Sequence, residues 1–154
     1  MVTEKTLISF DYAIKYLLKD KGDHEVIESF ISAVLKTRGY KPVKIIALLE
    51  SESNRESDIR KISTADVIVE DEDKNKYIIE IERHRKDTFI HKSLFNTSRL
   101  IVDNLESGKN YNNIIKVFHI SLLYFIPQNV NGIFYHGKTI INEIETNEKL
   151  SIDM

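Results

Sequence analysis

Two short runs with strand-like alternation, Ala65–Glu70 and Tyr77–Glu82, flank the turn-prone segment Asp71-Glu72-Asp73-Lys74-Asn75-Lys76. This pattern predicts a β-hairpin. In the first arm Asp66, Ile68 and Glu70 share one face, and Val67 and Val69 the other; in the second, Glu80 and Glu82 lie opposite Ile79 and Ile81. Residues opposed across a hairpin point to the same side. One allowed register therefore makes Asp66 and Glu80 direct partners, with Cβ atoms about 5 Å apart. Two carboxylates held that close repel each other unless a cation sits between them. Mg²⁺ suits such a pair, because it binds through one or two carboxylates and keeps several waters. The competing reading is a solvated acidic sheet face.

The flanking segments supply a frame for the hairpin. Phe10–Leu18 reads as a short helix with Ser9 as N-cap. A second helix runs from a cap at Asp23 to Arg38-Gly39, with Ile27, Phe30, Ile31, Val34 and Leu35 on one face. Lys44–Leu49 is a strand-like apolar run. After the hairpin a long amphipathic helix is predicted from about Phe89 to Glu106, with Gly108 beyond its end. On it Lys92, Asn96, Arg99 and Asp103 form a polar stripe opposite Ile90, Leu94, Ile101 and Leu105, and His91 falls within the apolar arc as a core or interface histidine. Val117–Phe125 reads as an interior strand because both of its faces are apolar. The order α-α-β-β-β-α-β defines an α/β fold: a mixed β-sheet core flanked by helices, its last strand joining by a crossover through the long helix.

Composition narrows the chemistry. The 154 residues suit one domain with a real core. No cysteine is present, which excludes a disulfide scaffold, thiolate metal sites and a cysteine nucleophile. With 22 basic and 24 acidic residues, any nucleic-acid contact must come from a local patch. No apolar run reaches the length of a membrane-spanning helix, and Met1–Lys5 does not open a signal peptide, so a cytoplasmic protein is expected. His84 and His91 span a strand–helix junction and make no zinc pair, and His119 reads as structural.

An Asp on one strand and Glu-x-Glu on the next, followed by a helix, resembles the PD-(D/E)XK nuclease fold. The wider chain is similar to the Rpn family of recombination-promoting nucleases and transposases. The likeness is carried by Phe10-Asp11-Tyr12-Ala13-Ile14-Lys15, Ser29–Leu35, Lys61–Val67, Tyr77–Glu82, the long helix, Gly108–Tyr111 and Val117–Ile120. It spans about Phe10 to Phe125. The resemblance implies a nuclease-like domain over residues 1–126 and a C-terminal remnant over 127–154, a short hairpin or tail that is truncated relative to the family. It also implies an Mg²⁺- or Mn²⁺-dependent DNA endonuclease with Asp66 and Glu80 as metal ligands and Glu28 as an outer ligand from the preceding helix.

One position departs from the pattern. Related nucleases carry Lys or Gln where this chain has Glu82, which then serves as a third acidic group or a water-orienting residue. A carboxylate offers no positive charge to a phosphate. Either Arg83, Arg85 or Lys92 supplies that charge, or the site is weakened. Arg83, Arg85, Lys86, Lys92 and Arg99 cluster after the acidic strand and are candidate phosphate contacts. Three readings stay open: the endonuclease, a catalytically weakened or inactive module of the same fold that binds DNA or regulates a longer partner, and a structural oligomer. The partners implied are DNA and either a second copy or a longer family member, with no membrane.

Overall fold

A computed structural model describes residues 16, 24–49, 66–85, 88–105, 107–127 and 131–150. The elements in chain order are α1 (Glu25–Lys36), β1 (Ile45–Leu49), β2 (Val67–Asp71), β3 (Lys76–Glu82), α2 (Phe89–Asn104), a 3₁₀ turn (Tyr111–Asn113), β4 (Val117–Leu123), β5 (Ile141–Asn142) and β6 (Lys149–Leu150). This differs from the expected order. The helix predicted over Phe10–Leu18 lies outside the described residues except for Tyr16, which is helical. A short antiparallel β5–β6 pair follows the main sheet.

The main sheet has the order β1-β2-β3-β4. Its first three strands are antiparallel neighbours, and β4 runs parallel to β3. Parallel pairing needs a long connection, and α2 provides it. All seven residues of β3 are buried, so this strand is the axis of the fold. β4, expected in the interior, is instead an edge strand of the described sheet. Its Phe118 and Ile120 pack against the core cluster on one face, and α2 lies against the strand.

One face of the sheet carries the core. Ile27, Ile31 and Leu35 recur at helical spacing along α1 and are buried with Ile45, Val67, Val69, Tyr77 and Ile79. Phe118 and Ile120 pack against this cluster. Each fully buried aliphatic side chain stabilises the fold by roughly 1.5–3 kcal/mol. Side-chain acceptors on α1 fasten β1 beside it: Ser32 Oγ accepts from the Val43 N–H at 3.0 Å, and Glu28 Oε1 from the Ile45 N–H at 2.9 Å.

The opposite face is built differently. The sequence places the apolar stripe of α2 inward, whereas the structure turns its first half out: Ile90 is 63% and Leu94 65% exposed and His91 is exposed as well, while Ile101 and Leu105 are half-buried. The one fully buried side chain of the helix is Asn96. The physical reason is the surface beneath it. Glu80, Glu82, His119 and Ser121 line that face of the sheet, and buried polar groups require polar partners.

The β2–β3 turn is organised by Asp71. Its Oδ1 accepts from the backbone N–H groups of Asp73 (3.0 Å) and Asn75 (2.9 Å), and its Oδ2 from Asn75 Nδ2 (2.9 Å) and Tyr77 Oη (2.7 Å). The ring of Tyr77 stacks on Phe118 with centroids 5.0 Å apart. Lys74 takes the left-handed conformation that closes the turn (φ 66°). Replacing Asp71 by Ala removes four acceptor contacts and strands the buried Tyr77 hydroxyl. The expected loss is about 3 kcal/mol of unfolding free energy, read by urea denaturation; a loss below about 1 kcal/mol contradicts this account of the turn.

Candidate functional site

Glu80 and Glu82 project from the same face of β3 and meet α2. The backbone pairing between β2 and β3 is Val67 with Ile79, Ile68 with Ile78, Val69 with Tyr77 and Glu70 with Lys76. Continuing this register by one position sets Asp66, immediately before β2, opposite Glu80. The Asp66 side chain closes the end of the ladder: its Oδ2 accepts the Ile81 N–H at 2.8 Å. That bond takes the place of a strand partner and ties the carboxylate to β3 next to Glu80.

Glu80 is 1% exposed. Both of its oxygens have partners from α2: Oε1 accepts a short hydrogen bond from Asn96 Nδ2, and Oε2 lies 2.7 Å from Lys92 Nζ. The same ammonium reaches Glu82 Oε1 at 2.7 Å. Lys92 and Asn96 are four residues apart and so share one helix face. Ser93, on the next position, places its Oγ 3.3 Å from Ser121 Oγ on β4. Ser121 in turn is the register partner of Glu80.

The electrostatics follow from this burial. Loss of water pushes the Glu80 carboxyl above its ordinary pKa, with Lys92 and Asn96 pulling it part of the way back and the Glu82 charge adding to the rise. Burial alone would lower the Lys92 ammonium, but its bonds to Glu80 and Glu82 prevail and raise it. His119, beside Ile78 in the β3–β4 register, has both ring nitrogens buried with no hydrogen-bond partner among the described residues. Burial and the nearby Lys92 charge lower its pKa from 6.5 to about 4, with the Glu82 charge opposing, which keeps the ring neutral at neutral pH.

The remaining residues singled out in the sequence lie around this centre. Glu28 is not brought to Glu80. It accepts the Ile45 N–H, with Lys44 Nζ 3.7 Å away, and Ile45 pairs with Asp71 at the opposite end of β2 from Asp66. Arg83 and Arg85 are exposed just after β3, and Lys86 lies outside the described residues. Arg99 pairs with Asp103 at 2.8 Å along α2. Sequence reasoning left Asn96 and Ser121 out of the site. Asn96 could have been found from its place one turn after Lys92, once the buried acidic pair was seen to need donors.

The oxygen donors of Asp66, Glu80 and Glu82 fit a hard divalent cation by their chemistry. Among the described residues no three His, Asp or Glu side chains are gathered tightly enough to hold one as they stand.

A three-stranded antiparallel meander, a crossover helix and a fourth strand parallel to the third, with acidic residues at the hairpin's open end, are consistent with the PD-(D/E)XK nuclease fold. The chain belongs to the PD-(D/E)XK nuclease family transposases: the model of that family matches residues 8–154. Nucleases of this superfamily typically use divalent metals, and membership implies a DNA substrate. No curated protein and no solved structure matches the chain. No helix among the described residues is long and apolar enough to cross a membrane.

The depressed His119 pKa has a direct consequence for stability. As pH falls from 6.5 towards 4, the unfolded chain takes up a proton that the native imidazole refuses, so stability drops over that window. His119→Leu removes this contribution. Urea denaturation at a series of pH values is expected to give a shallower acid slope for the variant; identical slopes contradict the burial of a neutral ring.

Proposed function

We propose that the protein is a metal-dependent DNA endonuclease that hydrolyses phosphodiester bonds during recombination or transposition. The observation that carries this reading is Glu80, buried between sheet and helix with its charge held by Lys92 and Asn96, next to Ile81, whose N–H the Asp66 carboxylate accepts, in a chain of a nuclease family.

Asp66 and Glu80 are the residues that would hold Mg²⁺ or Mn²⁺. When bound, the metal supplies a lowered pKa for its water and charge stabilisation at the scissile phosphate. Lys92 provides the positive charge that the motif lacks at Glu82, delivered from the helix instead of from the strand. Glu82 keeps that ammonium at the site. Arg83, Arg85 and Lys86 follow the acidic strand directly and would contact backbone phosphates, with Arg99 further along α2; such contacts position duplex DNA without reading its sequence.

A second reading rests on Glu82 itself. With a carboxylate in place of the usual Lys or Gln, the same fold could bind DNA or a longer family member without cutting.

The test is nicking of supercoiled plasmid with and without Mg²⁺. Asp66→Asn keeps an acceptor for the Ile81 N–H; Glu80→Gln keeps one for Asn96 but turns an amide N–H₂ towards Lys92, which retains Glu82. Both are expected to fall to the uncatalysed background while melting within about 5 °C of the wild type. Wild-type nicking rates in Glu80→Gln would remove the catalytic reading. An inactive wild type that still retards DNA in a gel shift would favour the binding module.

A further inference from the structure

We propose that Lys92 is a resident stand-in for the metal, holding the acidic pair in the metal-free protein and giving up Glu80 when a divalent cation enters. This rests on the reading of Asp66 and Glu80 as metal ligands and concerns how that site is regulated.

The argument starts from asymmetry within one ion-pair network. Glu80 cannot move: its side chain is 2% exposed, and Asn96 holds Oε1. Lys92 can. Its side chain is 44% exposed, and it carries the ammonium on a flexible stem. The oxygen of Glu80 not taken by Asn96 is Oε2, and this is the one Lys92 occupies. A cation that takes the Glu80 oxygen left by Asn96 therefore arrives where the ammonium sits.

An ammonium and a dication on the same oxygen lie only a few ångströms apart and repel each other. One of them leaves. Glu82 Oε1, already 2.7 Å from Nζ, retains the displaced ammonium nearby, so Lys92 shifts along the network and is not expelled to bulk water. The shift frees a donor at the edge of the site, where a phosphate would lie.

This arrangement also explains how the chain tolerates Glu82. Two acidic side chains on one face of a buried strand repel each other when the metal is absent. Lys92 neutralises them in that state, so the pair need not be stabilised by metal for the sheet to form.

A lysine that only stabilised the fold would, when removed, weaken the site in every respect. A stand-in gives opposite signs: its loss tightens metal binding and slows cleavage. Calorimetric titration of the full chain with Mn²⁺ alone separates the two. Lys92→Met is expected to bind Mn²⁺ at least about tenfold more tightly than the wild type, while its Mg²⁺-dependent plasmid nicking falls. Wild-type binding with equal or weaker binding by Lys92→Met overturns this inference and leaves the nuclease reading standing. No binding by either protein overturns both. Should the variant fail to fold, the wild type decides. The ¹³Cε resonance of Lys92, assigned in the labelled protein, is expected to move towards the positions of exposed lysines on saturation with Mg²⁺. A resonance that stays in place overturns the proposal.

Discussion

A carboxylate taken almost completely out of water has to be matched by donors, and the need to satisfy Glu80 organises one whole side of this molecule. Leaving such a charge unpaired costs several kcal/mol, far more than a helix loses by presenting a few aliphatic side chains to solvent. The orientation of α2 follows that ranking. Lys92 and Asn96 turn inward to Glu80, Ser93 meets Ser121, and Ile90 and Leu94 are left on the outside. The helix is docked by its polar stripe because the sheet beneath it is polar.

The two faces of the sheet thus divide the labour. Under α1, aliphatic and aromatic side chains close into a core that binds β1, β2, β3 and β4 together. Under α2, hydrogen bonds and one ammonium shared between two carboxylates sit beside the buried Ile78 and the edge-on contact of Phe89 with Phe125. β3 belongs to both layers. Its odd-numbered residues Tyr77 and Ile79 enter the core, and its even-numbered Glu80 and Glu82 face the helix. Strand alternation alone is enough to place stability and chemistry on opposite sides of one segment.

Much of this was legible locally. The hairpin followed from period-two alternation around a run of turn residues, and the pairing of Asp66 with Glu80 was one of its allowed registers. α1 was legible because Ile27, Ile31 and Leu35 repeat with helical spacing. What failed was non-local. An apolar stripe on an amphipathic helix usually marks its buried face, and that rule misplaced Ile90, Leu94 and His91 because the sheet surface it had to match was unknown. For the same reason Asn96 looked like one more polar residue on a solvated face. β4, expected in the interior, ends the described sheet, since its composition records what covers its faces and is silent about its in-plane neighbours. Glu28, placed by the helix wheel as an outer ligand, accepts the Ile45 N–H, a contact that depends on the course of β1.

The polar seat of α2 has a mechanical consequence. Lifting α1 exposes hydrocarbon to water, whereas lifting α2 exposes groups that water can solvate in place of their protein partners. By that difference α2 is the element whose seat opens more readily to water, while α1 and β3 are tied into the core, and the acidic residues sit on the seam between the two layers.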